Sequence, residues 1–216
     1  DRRLSAATVN AGLAAVGGLV AWKSGGGGSS TPAADAIEEG PPVCPPAQLA
    51  RWQELANEVN APVYCPSWLP DPLEGSFTGP YFNGRSVDPD RSYLVSFVWF
   101  DTSLGTTSEV HVNLRAYPGN TRIPTCEDTL TVGGKTVREK LPCFSDSQGE
   151  KKIGNTTVTV YTANQGADQW HVLYAWRHEG TLYTLSEHVA SPYSHKEVVG
   201  HLDRMMRRLV LVEPAT

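Results

Sequence analysis

The spacing of hydrophobic positions changes several times along this chain, and each change predicts a different element. Residues 4–22 carry no charge and lie between Arg3 and Lys23. A helix of that length is about 28 Å long, close to the roughly 30 Å hydrocarbon core of a bilayer. We predict an apolar N-terminal helix that spans a membrane once, with its N-terminus inside. A signal sequence, cleaved or uncleaved, and a helix docked on a partner protein are the alternatives.

A linker and a first amphipathic segment follow this apolar helix. Residues 24–43 are rich in glycine, serine and proline without hydrophobic periodicity, which predicts a flexible tether. Apolar side chains then recur at helical spacing: Leu49, Trp52, Leu55 and Val59. The prolines of the phrase CPSWLPDP, which begins at Cys65, exclude a helix there. We therefore predict an anchor over residues 1–23, the linker over 24–43 and a globular domain over 44–212.

The central part of the chain has the patterns of strands. Residues 93–100 are almost continuously apolar, and residues 110–116 alternate between apolar and polar side chains. Gly133-Gly134 joins residues 129–132 to residues 135–137, which predicts a two-residue hairpin. Residues 152–161 alternate again, and we predict one strand over that range.

The C-terminal part adds two aromatic strands and a helix. Residues 170–176 and 182–185 predict paired strands, and Ser194 with Glu197 has the spacing of a capping box at a helix start. The order of these elements predicts an α+β fold. We expect an antiparallel sheet of about six or seven strands with helices packed on one face, preceded by the N-terminal apolar helix.

The four cysteines point to an oxidising compartment. They are even in number and show no C-x-x-C pair: Cys44, Cys65, Cys126 and Cys143. In an exported domain this pattern predicts two disulfide bonds. Of the three possible connectivities we favour the two that join sequence neighbours, 44–65 and 126–143. The predicted location is a membrane-anchored domain outside the cytoplasm, with secretion as the alternative.

Charge and motifs exclude several function classes. The net charge is −5 and the sequence pI is near 5.7, without a basic stripe, so nucleic acid is not an expected partner. The sequence contains no G-x-S-x-G, S-x-x-K or H-E-x-x-H motif. Five histidines lie near the C-terminus: His171, His178, His188, His195 and His201. A metal-binding or pH-sensing role would require these to converge, and we predict surface histidines instead. We therefore expect no catalytic residue, metal or cofactor.

Two aromatic groups are candidates for binding. Trp170, Tyr174 and Trp176 share one predicted strand face, which suggests either a sugar-stacking platform or, as we favour, a core seam. The long glycine-rich loop over residues 73–91 carries Phe77, Tyr81 and Phe82. We predict that this loop is a possible partner-binding segment, the alternative being that it covers a sheet edge.

Three phrases in a fixed order resemble a known group of proteins. They are VYCPSWLP from Val63, IGNTTVTVY from Ile153 and YAWRHEGTLYTL from Tyr174, followed by a C-terminal helix. The order resembles uncharacterised extracytoplasmic domains that follow one membrane helix in some bacterial anti-sigma-factor-like and sporulation-associated proteins. The resemblance covers about residues 61–210 and extends to no catalytic residue. It implies a membrane-tethered sensing or regulatory domain, with a cytoplasmic partner-binding part upstream of Asp1.

The expected function is accordingly non-enzymatic. We predict a sensor or protein-interaction domain of a bacterial envelope protein, with protein partners in the envelope or membrane and with residues 4–22 in the membrane. The first alternative is a structural subunit of a larger envelope or surface assembly, whose N-terminal helix packs against partner helices. The second is a secreted enzyme of unrecognised class.

Overall fold

In the computed structural model the described residues are 40–73, 82–101, 108–132, 135–162 and 170–215. They form two helices and eleven strands. In chain order these elements are α1 (Pro46–Val59), β1 (Val63–Pro66), β2 (Phe82–Val87), β3 (Tyr93–Asp101), β4 (Ser108–Tyr117), β5 (Thr125–Val132), β6 (Lys135–Pro142), β7 (Ser147–Ile153), β8 (Thr156–Tyr161), β9 (His171–His178), β10 (Thr181–His188), α2 (His195–Arg207) and β11 (Leu209–Val212).

Seven strands form the main sheet in the order β2-β3-β4-β10-β9-β8-β7, and every neighbouring pair is antiparallel. The predicted α+β class and the antiparallel sheet of six or seven strands are thus confirmed. Two pairs of strands stand apart from this sheet, β1 with β11 and β5 with β6. Because β4 and β10 are neighbours, the middle of the sheet joins two distant parts of the chain.

Both helices contribute to one hydrophobic core against one face of the sheet, which we call the helix face. Trp52 and Leu55 of α1 and Leu202 and Met205 of α2 are buried in the same cluster as Tyr183 of β10. Burial of such side chains is the main favourable contribution to folding. Both helices therefore share the core on this side of the sheet. The opposite face of the sheet is called the far face below.

Both predicted disulfide pairings are present. Cys44–Cys65 links the chain just before α1 to β1, and Cys126–Cys143 links β5 to the residue that follows β6. In a chain-entropy model, closing loops of this size stabilises the fold by about 3 kcal/mol each. Two disulfides indicate an oxidising compartment, so the domain is extracytoplasmic or secreted.

The structure corrects the sequence prediction in three segments. Residues 152–161 are two strands rather than one, because Gly154 takes a positive φ of 58° and turns the chain between β7 and β8. Residues 82–87, predicted as part of a long loop, form β2 and pair with β3. Leu209, which helical spacing from Met205 predicts as part of the last helix, instead begins β11, and this strand pairs with β1.

Several predicted features lie outside the described residues. The anchor over residues 4–22, most of the 24–43 linker and the aromatic residues Phe77 and Tyr81 are among them. Phe82 begins β2, where its backbone pairs with Val98. Among the helices that the structure describes, none is both long and apolar enough to cross a membrane.

Candidate functional site

Three histidines meet on the far face of the sheet, on three neighbouring strands. His171 at the start of β9 is the direct cross-strand partner of His188 at the end of β10. The register of β10 with β4, which pairs Glu187 with Val112, brings His188 beside His111 on its other side. Successive strand residues point to opposite faces, so all three imidazoles project from the far face. We call His111, His188 and His171 the histidine row.

The three rings are closer together than their backbones require. Strands β4 and β9 are separated by β10, which places their backbones about 10 Å apart. Yet the ring centres of His111 and His171 are 4.4 Å apart, while those of His111 and His188 are 4.8 Å apart and those of His171 and His188 are 5.3 Å apart. The outer two side chains therefore lean towards each other, and the rings form a triangle rather than a line.

Each ring has a protein oxygen close to its Nδ1 atom. His111 Nδ1 lies 2.8 Å from Glu109 Oε1, and His188 Nδ1 lies 2.9 Å from the backbone oxygen of the same glutamate. His171 Nδ1 lies 3.1 Å from Ser186 Oγ. A carbonyl oxygen only accepts hydrogen bonds, so Nδ1 of His188 carries a proton. One residue at the start of β4 thus lies beside two of the three rings, through its carbonyl at His188 and its carboxylate at His111.

Burial fixes the charge state of one member of the row. The side chain of His171 is fully buried. Burial, followed by electrostatic interactions with His111, His188 and Arg115, lowers the pKa of His171 to about 2. His171 is therefore neutral throughout the physiological pH range. A neutral imidazole can accept a hydrogen bond or bind a metal ion, whereas its charged form can do neither.

A second titratable pair lies on the helix face directly behind the row. Glu187 precedes His188 on β10, so its side chain points towards α2, where Oε1 lies 2.7 Å from Nδ1 of His201. The Glu187 carboxyl is fully buried, and this burial raises its pKa despite the lowering effect of His201. The rings of Trp68 and Tyr193 flank the imidazole of His201. This pair links β10 to α2 across the core.

A third polar contact joins α2 to the other end of the sheet. Lys151 Nζ on β7 lies 2.6 Å from both carboxylate oxygens of Asp203, and the hydroxyl of Tyr174 donates to the same carboxylate at 2.8 Å. Burial, followed by the hydrogen bond to Asp203, raises the pKa of the Tyr174 phenol. Each of these three polar groups has a hydrogen-bond partner among the other two, which favours a structural role for the contact.

A cleft opens where two strands of the main sheet separate. The β8–β9 pairing ends at Thr159 and Ala175, although β8 begins at Thr156 and β9 continues to His178. The cleft has a volume of about 380 Å³. Its lining is mostly polar: Tyr64, Glu150, Asn155, Thr156, Thr157, Thr159, Ala175, Trp176, Arg177 and His178. The cleft combines both charge signs with hydroxyls, so its lining favours no single class of ligand.

The three aromatic residues that were candidates for sugar stacking differ in their exposure to solvent. Tyr174 and Trp176 are buried in the core, and Trp176 stacks on Tyr183 at a ring-centre distance of 5.6 Å. Trp170 lies before β9 and is 76% exposed. These residues therefore form no common platform, and the favoured interpretation as a core seam holds for Tyr174 and Trp176.

Of the five histidines near the C-terminus, two converge and three do not. His171 and His188 belong to the row, whereas His178 ends β9, His195 begins α2 and His201 contacts Glu187. The expectation of surface histidines is wrong for the buried His171. The sequence analysis missed His111, the third member of the row. The sequence signal that could have found His111 is its polar position in the alternating residues 110–116, which places it on the face opposite to the apolar side chains.

Comparisons with known proteins give no relative from which a function could be inferred. No family model, curated protein or solved structure matches this chain.

Proposed function

We propose that this domain is a non-enzymatic protein-interaction module of a bacterial envelope protein, tethered to the membrane through residues 4–22. The docking element in this proposal is the β5–β6 hairpin, which we call the arm. Its partner is a protein of the envelope or membrane. The arm pairs with no further strand of the described residues, and this supports the proposal.

The arm is a long hairpin that pairs with no other strand among the described residues. Its eight register positions run from Thr125–Pro142 to Val132–Lys135. At about 3.4 Å per residue each strand extends about 27 Å. Residues 136–140 of β6 are all exposed. A two-stranded hairpin is marginally stable alone in water, so a long one with exposed side chains is well suited to packing against a partner.

The base of the arm is fixed to the far face of the sheet. The Cys126–Cys143 disulfide closes it, and the backbone N–H of Cys143 donates to the carbonyl of Pro124 at 2.9 Å. Phe144 packs edge-on against Tyr161 at 4.8 Å in a small hydrophobic cluster on that face. A fixed base reduces the conformational entropy that the arm loses on binding.

The exposed chemistry of the arm is mixed, as in many protein interfaces. Arg138 Nη1 lies 3.2 Å from Glu127 Oε1 across the two strands. Val137 precedes Arg138 on β6, so its side chain points to the other face of the hairpin, where it is 48% exposed. Charged residues near an open strand edge disfavour indiscriminate strand pairing, while the apolar position provides a contact for a complementary surface. We therefore expect the partner to cover the arm around Val137.

Crosslinking at matched positions tests this proposal. A photoreactive amino acid is placed at Val137 on the arm or at Leu49 on α1, which is 45% exposed, in the full natural chain expressed in its own membrane. We expect one discrete crosslinked protein from position 137, and its loss when Arg138→Glu is added. Equal products from positions 137 and 49, or none from 137, would contradict a docking role for the arm. A partner recovered in fixed ratio with many copies of this chain would favour the structural-subunit alternative.

A further inference from the structure

We infer that the histidine row binds one divalent transition-metal ion, with zinc as the best-fitting candidate and His111, His171 and His188 as its ligands through Nε2. This inference is independent of the arm and goes beyond the proposed interaction function. It assigns a ligand to a part of the far face that the arm does not include.

The spacing of the rings fits a shared metal ion. Zinc is bound by histidine nitrogens at about 2.0–2.1 Å in tetrahedral geometry, which places the centres of two ligand rings about 5 Å apart. The three ring-centre distances in the row are 4.4, 4.8 and 5.3 Å. The imidazoles thus lie close to the mutual distances that one ion requires.

The rings need to turn before they can hold an ion. His188 is stacked on His111 at an interplanar angle of 27° and on His171 at 28°. Accordingly, no three histidine, cysteine, aspartate or glutamate side chains of the described residues are arranged to hold a metal as they stand. The terminal torsion of histidine is intrinsically broad. The rotation is therefore limited by burial and by the oxygens beside each Nδ1 atom. Binding requires a turn of the rings that keeps each Nδ1 beside its oxygen within an unchanged sheet.

The partners of Nδ1 favour ligation through the other ring nitrogen. Metal-binding histidines usually donate their second N–H to a carboxylate, a carbonyl or a similar group, which fixes the ring and its tautomer. Here Nδ1 of His188 donates to the Glu109 carbonyl, the Glu109 carboxylate lies within ion-pair distance of His111 Nδ1, and the Ser186 hydroxyl lies beside Nδ1 of His171. A neutral ring that donates from Nδ1 carries its lone pair on Nε2, the proposed ligand atom.

The donor set selects the class of metal. Three imidazoles suit zinc, copper, nickel or iron, whereas magnesium and calcium prefer oxygen ligands. Three protein ligands leave a fourth tetrahedral position for water or for a group from a partner. Among the nearby charges, Arg115 opposes a cation and the Glu109 carboxylate favours one.

Metal titration of the purified, oxidised full chain without an oligohistidine tag tests the inference. After chelator treatment, zinc is titrated by calorimetry, and cobalt is added to follow its visible absorption bands. We expect one ion per chain and intense bands typical of tetrahedral cobalt. His111→Ala and His188→Ala should abolish stoichiometric binding, and Glu109→Ala should weaken it by about 10–100-fold. His195→Ala changes a histidine of α2 outside the row and should bind like the unmodified chain.

Near-ultraviolet circular dichroism of the metal-free variants separates loss of ligands from loss of fold. A native spectrum without zinc binding in His111→Ala and His188→Ala supports the inference. Absence of stoichiometric binding by the unmodified chain overturns it. Binding that persists in both row variants also overturns it, because the ion would then be held elsewhere. The arm variant Arg138→Glu should bind zinc normally, so this inference and the interaction function can fail separately.

Discussion

The Nδ1 atom of His188 donates a hydrogen bond to the backbone carbonyl of Glu109 at 2.9 Å, although the two residues are 79 positions apart. This bond joins the end of β10 to the start of β4 and holds the central ring of the histidine row. The Glu109 carboxylate also lies beside His111, so one residue contacts rings from two strands. The row is therefore organised by the pairing of β4 with β10.

The buried His171 should make the domain less stable in acid. The folded protein keeps His171 neutral because its pKa is lowered to about 2, whereas the unfolded chain takes up a proton below about pH 6.5. The unfolded state then binds more protons, so the free energy of unfolding decreases below pH 6.5 by up to about 1.4 kcal/mol per pH unit. Urea unfolding in chelator at about pH 7 and about pH 5 measures this slope.

A matched pair of variants assigns that slope to one residue. His171→Gln should reduce the loss of stability between the two pH values, while His195→Ala should leave it unchanged because His195 is exposed at the start of α2. An identical pH slope in the unmodified chain and in His171→Gln would show that another group is responsible.

Removing the partner of Glu187 should destabilise the domain in a pH-dependent way. His201 lowers the pKa of the buried Glu187 carboxyl, so His201→Ala raises that pKa further. The variant should lose about 1–3 kcal/mol at neutral pH, where the buried carboxyl must either ionise without His201 or take up a proton. The loss should be smaller at about pH 5, where the protonated form is more accessible. Denaturant unfolding of His201→Ala and His195→Ala at both pH values would reveal a pH-independent loss if this account is wrong.

The disulfide at the base of the arm should control its local stability. Changing Cys126 and Cys143 together to serine removes a constraint worth about 3 kcal/mol in the chain-entropy model. Because the arm pairs with no other described strand, we expect it to unfold locally and to be cleaved rapidly by trypsin at Arg138. The Cys44→Ser and Cys65→Ser pair is the control, since it should lower global stability without selective cleavage of the arm.

The capping box at the start of α2 should contribute measurably to the stability of the domain. Ser194 Oγ accepts from the backbone N–H of Glu197, and the Glu197 side chain accepts from the backbone N–H of Ser194. Ser194→Ala should lower the free energy of unfolding by about 1 kcal/mol. Lys196→Ala, an exposed change in the same helical turn, should be nearly neutral, and equal losses in the two variants would argue against a capping contribution.

Local patterns were sufficient to predict much of the fold. The alternation over residues 110–116 predicted β4, and the cysteine positions predicted both disulfides, because these signals depend on nearby residues. The same local reasoning failed at Gly154, where a turn interrupts an alternating run without changing its pattern. It failed again at residues 82–87, where Asn83-Gly84 looks like a turn but lies within β2.

The candidate site depends on information that the sequence pattern lacks. His111 and His171 lie in separate strands, and their proximity requires β10 to insert between β4 and β9. Strand order of this kind is decided by the tertiary packing of whole elements and not by the spacing of residues. The predicted partner-binding role of Phe77, Tyr81 and Phe82 stays a prediction.

The β4–β10 contact also has a consequence for the order of folding. The sheet consists of one meander, β2-β3-β4, and a second, β7-β8-β9-β10, and each can form from sequence neighbours. Their junction must wait until the chain beyond residue 181 is present, and such long-range contacts are slow to form. His111 belongs to the first meander, and His171 and His188 belong to the second. The histidine row thus assembles only when the two meanders pair. An ion bound there would stabilise the late-forming contact between β4 and β10.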